Sequence, residues 1–98
     1  MKIYFANHRL ERAGESDDEA VRAWGTIVAA RFAQRLHTIE GAETVEEIYR
    51  LRSLRFHKLR GRRAGQYAIT LTWNWRLVVR LLGEDTILIE EVVDYHGD

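Results

Sequence analysis

The 98-residue chain predicts an α+β domain, with an N-terminal strand and two or three helices packed on one face of a mostly antiparallel, four- to five-stranded sheet. Three observations carry that expectation. Helix-capping patterns open at Ser16 and Thr44, ahead of every strand but the first. From Leu54 onward apolar residues alternate with polar ones instead of recurring every three or four positions. The length suits one core, so residues 1–98 are expected to form a single domain.

The first strand runs from Lys2 to Phe5, followed by a polar stretch to Ser16. Ser16-Asp17-Asp18-Glu19 has the form of a capping box, in which the serine accepts from the third helical amide and the glutamate answers back. In the helix it opens, Val21, Trp24, Val28, Phe32, Leu36 and Ile39 make one apolar stripe. Gly25 bends or interrupts that helix, and Gly41 ends it. A second box, Thr44-Val45-Glu46-Glu47, opens a shorter helix to about Leu51, with Ile48 and Leu51 facing the core.

Phe56 to Leu59 reads as a short strand, and Arg60 to Gly65 as a mobile, basic, glycine-bounded loop. Gln66 to Thr72 then sends Tyr67, Ile69 and Leu71 to one face. A tight turn at Trp73-Asn74 leads into Trp75 to Leu82, where Arg76, Val78 and Arg80 share the face opposite Trp75, Leu77, Val79 and Leu81. Trp73 and Trp75, two apart, are expected against the helices, unless Trp73 stands exposed at its turn. Gly83-Glu84-Asp85 turns the chain into a last strand, Thr86 to Val93. With all helices on one side, the other face of the sheet is left open.

Composition narrows the function. Without cysteine there is no disulfide framework, thiol nucleophile or thiolate zinc site. Met1 to Phe5 runs into Asn7, His8 and Arg9 without the apolar stretch of a signal peptide, and nothing approaches ~18 successive apolar residues, so a cytoplasmic protein is expected. Fifteen basic and fifteen acidic residues cancel. That neutrality conceals a strong asymmetry. Residues 1–49 hold six bases and nine acids, net −3; residues 50–82 hold nine bases and no acid, net +9; residues 83–98 hold six acids and no base, net −6. A 33-residue stretch without a carboxylate suits a polyanion-facing surface, and its arginines are expected mainly on one face of the sheet.

The run Arg55-Phe56-His57-Lys58-Leu59-Arg60-Gly61, then Arg62 to Ile69, Asn74-Trp75-Arg76-Leu77 and the ending Val92-Val93-Asp94-Tyr95-His96 resembles the HigB-type "plasmid maintenance system killer" toxins of the RelE/ParE superfamily. The N-terminal half fits more loosely. The resemblance implies the compact RelE/ParE-like fold and ribosome-dependent cleavage of messenger RNA. It also implies a cognate antitoxin of helix-turn-helix fold, HigA-like, through which operator DNA is met only indirectly. Two positions depart from the family. Arg60 replaces the usual lysine before the glycine, and Arg62 replaces the Asp or Asn after it. Arg60 keeps the cation but is locked in its charged form, which suits phosphate and not proton transfer.

Metal-independent RNA cleavage needs a base for the ribose 2′-OH, positive charge for the phosphate in the transition state and a proton for the 5′-oxygen. Histidine suits the first and last tasks because it titrates near neutral pH, and His57 and His96 are the candidates. Arg60 and Arg76 supply fixed charge, Asp94 orients a histidine, and Tyr95 stacks on a base or donates to phosphate. Arg55, Lys58, Arg62, Arg63 and Arg80 are expected to bind RNA or ribosome backbone. Blander roles compete: a structural His57, a frayed tail at Asp94 to His96, solubility for the arginines. His8 and His37 look incidental. Asp94 and His96 are ligand types that zinc accepts, but no HxxxH accompanies them, so neither metal nor cofactor is expected. Two other functions fit the superfamily: a non-catalytic binder of a target such as DNA gyrase, and an inactive RNA- or antitoxin-binding protein.

Overall fold

A computed structural model describes residues 1–95; His96, the expected second histidine, lies outside the described residues. The order of elements is β1 (Lys2–Phe5), α1 (His8–Glu15), α2 (Asp17–Trp24), α3 (Thr26–Gly41), α4 (Val45–Arg50), β2 (His57–Lys58), β3 (Tyr67–Thr70), β4 (Trp75–Leu81) and β5 (Thr86–Asp94), with 3-10 turns at Arg52–Leu54 and Gly61–Arg63. The five strands make one sheet in the order β1-β5-β4-β3-β2, antiparallel except for the parallel β1–β5 pair. This is the expected α+β architecture. Among the described residues no helix is long and apolar enough to cross a membrane.

One face of the sheet carries the fold. Ile69, Leu71, Leu77, Val79, Ile87 and Ile89 point into a core closed by Leu10, Ala13, Val28, Phe32, Leu36, Ile39 and Ile48 from the helices. Phe56 extends this core toward the β2 edge, stacked on Tyr67 with ring centroids 4.9 Å apart and meeting Tyr49 edge-on. Burial, reinforced by the neighbouring Tyr67, pushes the Tyr49 hydroxyl above its ordinary pKa.

The helices differ from expectation in four places. Residues 8–15 form a helix where a polar stretch was expected, because Asn7 caps it by accepting from the Leu10 amide at 2.9 Å and Leu10 and Ala13 bury themselves. Two apolar residues in eight are too sparse a stripe to announce it. Gly25 interrupts the next helix, as expected: it takes φ +85°, open to glycine and strained for other residues, and serves as C-cap of α2 and N-cap of α3. The break rotates Val21 out of the stripe to 39% exposure. Leu51, expected in the core, is 40% exposed because α4 ends at Arg50 and the chain turns. The capping boxes are incomplete: Ser16 accepts from the Glu19 amide while Glu19 pairs with Arg22, and at Thr44, which makes no side-chain cap, Glu47 accepts from the Glu43 amide one residue before the cap.

Candidate functional site

The helix-free face is built by strand register. His57 stands opposite Ala68, Ala68 opposite Val78, and Val78 opposite Glu91, so these four form a row across β2, β3, β4 and β5 on one side of the sheet. A second row runs Thr70, Arg76, Val93. Leu59, Ala68 and Val78 make a small buried patch on this face, and Val93 and Tyr95 pack against it. The candidate residues His57 and Tyr95 are thereby brought to neighbouring ground around Ala68, although 38 residues separate them in sequence.

His57 is held by its own strand entry. Its Nδ1 lies 2.7 Å from the Arg55 carbonyl oxygen, which can only accept, so the neutral ring carries its proton on Nδ1 and its basic lone pair on Nε2. Arg55 makes that contact from a left-handed conformation, φ 49° and ψ 45°. Alternation along β2 turns Lys58 to the side opposite His57.

Among the described residues Arg76 is the one charged residue in the buried set, at 8% exposure. Its Nη1 donates to the carbonyls of Thr72, Trp73 and Trp75 at 2.9, 3.2 and 3.1 Å, so the guanidinium knits the β3–β4 turn. The same turn is tied to the end of β5. Asn74 Nδ2 donates to Asp94 Oδ1 at 2.7 Å, and the Tyr95 amide donates to the Asn74 carbonyl at 2.7 Å. From the helical side, Arg35 Nε donates to the Thr70 carbonyl at 2.9 Å. Burial, with the nearby Arg31 charge, lowers the Arg35 pKa from its ordinary value. Trp73 projects from this turn at 93% exposure, which settles its two expected placements in favour of solvent; Trp75 packs on the core.

The remaining arginines divide. Arg63 Nη1 donates to Glu91 Oε1 at 2.9 Å and to Gln66 Oε1 at 3.2 Å, and its guanidinium lies 5.5 Å from the centroid of the Tyr95 ring. Gln66 in turn reaches Glu90, which is paired with Arg80. Arg80, Glu90, Gln66, Arg63 and Glu91 therefore form one network on the open face. A β-bulge permits it: Val78 pairs with Glu91 but Val79 with Ile89, so Glu90 is an extra residue on β5. Ile89 and Val92 keep to the core while both glutamates serve the other side. Gly65 takes φ +92°, strained for any other residue, and leaves room for the Arg80 guanidinium, whose Nη1 would stand 2.8 Å from a Cβ there. Arg55, Lys58, Arg60 and Arg62 are exposed, and their side chains make no hydrogen bond or ion pair among the described residues. Arg50 pairs with Glu46 on α4. Of the nine bases in residues 50–82, Arg76 and Arg80 stand on the helix-free face and Arg63 reaches over it, so the block is not gathered mainly on one face as expected: Arg50, Arg52 and Arg55 belong to α4 and the turn after it, and Lys58 points to the other side.

Glu90, Glu91, Gln66 and Asn74 are the residues that sequence reasoning missed. For Glu90 and Glu91 the signal was present in Ile87-Leu88-Ile89-Glu90-Glu91-Val92, where alternation fails at the paired glutamates, as a bulge requires. Among the described residues no group of three or more histidine, cysteine, aspartate or glutamate side chains is arranged to hold a metal ion.

Comparison with known proteins places this α+β sheet, helix-covered on one face, in a known family. The family described as the RelE-like toxin of the type II toxin–antitoxin system HigB matches residues 3–96, so the chain belongs to the HigB-like toxins. It is a type II toxin of the RelE-like superfamily. No curated protein matches it by sequence. Its fold is similar to that of YafQ from E. coli strain BL21(DE3), with a TM-score of 0.62 at 13% identity over 95% of this chain and 91% of that one. It is also similar to the YoeB/ParE toxin from Agrobacterium tumefaciens, with a TM-score of 0.58 at 16% identity over 99% and 100%. A third likeness is to the YoeB-YefM complex from Staphylococcus aureus, with a TM-score of 0.57 at 18% identity over 99% and 98%.

Proposed function

We propose that this toxin is a ribosome-dependent endoribonuclease that cuts messenger RNA and so inhibits translation. The observation that carries the reading is His57: a histidine whose tautomer is fixed by a backbone carbonyl, on the helix-free face of the sheet and opposite Ala68, against whose patch Tyr95 packs. A gyrase binder or an inactive RNA- or antitoxin-binding protein has no need of such a base.

In this reading His57 and His96 divide the proton transfers. One takes the 2′-OH proton, the 2′-oxygen attacks phosphorus, and the 5′-oxygen leaves with a proton from the other, giving a 2′,3′-cyclic phosphate and a 5′-hydroxyl. Asp94, held by Asn74, lies two residues before His96 and serves to orient it. Arg76 acts on the phosphate through its field: a charge fixed beside a low-dielectric face is felt more strongly than one in water. Arg60 supplies the exposed guanidinium for direct contact with phosphate.

The unengaged Arg55, Lys58 and Arg62 bind ribosomal RNA backbone. Arg63 and Arg80, already paired with glutamates, contribute by holding Tyr95 and the loop in place. No metal or cofactor enters this scheme. The partner that restrains the activity is a HigA-like antitoxin of helix-turn-helix fold, which links the toxin indirectly to its operator DNA, and the setting is the cytoplasm.

The test is expression in growing cells, with the 5′ ends of cellular messages mapped. The wild type arrests growth and leaves cuts inside translated frames, while folded His96→Ala does neither. Arrest that persists in His96→Ala, with accumulated cleaved gyrase complexes, overturns the nuclease reading.

A further inference from the structure

Trp73 is almost wholly exposed, yet the turn that carries it is among the most heavily tied segments of the molecule. Arg35 holds the Thr70 carbonyl, Arg76 holds those of Thr72, Trp73 and Trp75, and Asn74 bonds both Asp94 and the Tyr95 amide. Thr72 Oγ1 accepts from the Trp75 amide at 3.3 Å. An indole in water gains nothing for the fold, and the backbone beneath it is fixed in advance of any contact.

We propose that Trp73 is a stacking platform for one unpaired nucleobase of the RNA held at the open face, a proposal that rests on the RNA-cleaving reading above. Two features favour a base over a protein partner. Among the described residues the supports of the turn include two guanidinium groups, Arg35 and Arg76, against one carboxylate, Asp94, so the balance of charge beneath the indole is positive and attracts a phosphate backbone. The indole also stands between Thr72 and Asn74 with no second exposed apolar residue on its turn; Leu82 follows the opposite end of β4, and Tyr4 lies on the far edge strand β1. A protein-binding tryptophan is typically ringed by further contacts that exclude water, whereas a base needs only the flat face. Because Asn74 ties this turn to Asp94 and Tyr95, the stacked nucleotide would flank the scissile one.

The test uses the full chain carrying His57→Ala, to prevent cleavage, with a short single-stranded 2′-O-methyl oligoribonucleotide and with messenger-programmed ribosomes as probes. Of the three tryptophans Trp73 is the exposed one, so its fluorescence is open to iodide and becomes shielded when either probe binds. Adding Trp73→Ala weakens binding by about five- to a hundred-fold, the range that base–aromatic stacking supplies, and Trp73→Phe restores most of it. In the cleavage-competent chain the same change raises KM and leaves kcat nearly intact. Equal binding by the parent and Trp73→Ala overturns the platform while sparing the nuclease reading. A parent that binds neither probe overturns both. A loss confined to antitoxin binding, with RNA and ribosome affinity unchanged, makes Trp73 a protein anchor and also overturns the proposal.

Discussion

The two faces of β4 are made by neighbouring residues and held by different physics. Leu77 and Val79 enter a core that is fully closed by helices, while Arg76, Val78 and Arg80 stand one residue away on a face that no helix covers. The closed face is stabilised by removing apolar area from water, which depends little on partners or pH. The helix-free face joins the small buried patch of Leu59, Ala68 and Val78 to hydrogen bonds and ion pairs: Arg76 on the turn carbonyls, His57 on Arg55, and the Arg80–Glu90–Gln66–Arg63–Glu91 network. One face can thus change its chemistry while the other keeps the fold, and three substitutions probe that division.

The largest effect is expected at His57. His57→Ala lowers the cleavage rate on programmed ribosomes by ~10²–10⁴-fold, the contribution of one positioned acid or base, with the thermal midpoint nearly unchanged. An equal loss of stability would place His57 with the core instead. Leu77→Ala reverses the pattern: urea unfolding should show a loss of ~2–5 kcal/mol, with activity per folded molecule preserved at low temperature. Glu91→Gln is the smallest. Its pair with Arg63 is partly exposed and worth only ~0.2–1 kcal/mol. Releasing Arg63 should instead tighten ribosome binding and steepen its dependence on salt by about one further counterion, read from affinities across a salt series.

What the sequence made legible follows the same division. Regular periodicity marked β3, β4 and the long helices, because a repeated spacing can bury only one face. The α1 helix escaped because its stability comes from one Asn7 cap and two buried residues, and the bulge at Glu90 because one inserted residue leaves only a brief break in alternation. At the site, residue chemistry singled out His57, Arg76 and Tyr95, and register brings them to one face. Which arginines are already occupied was not legible, since Glu90 and Glu91 lie 24 to 28 residues from Gln66 and Arg63. Among the described residues the basic block and the acidic ending, opposite in charge, meet here in the Arg63–Glu91 and Arg80–Glu90 pairs.

The most direct measurement is a reconstituted translation reaction with purified toxin, sampled for the ends of the message. Cuts that appear only while ribosomes translate, that leave 2′,3′-cyclic phosphate and 5′-hydroxyl ends, and that vanish in folded His57→Ala are the predicted result. An intact message at toxin concentrations that arrest growth, or cuts undiminished in His57→Ala, would contradict it.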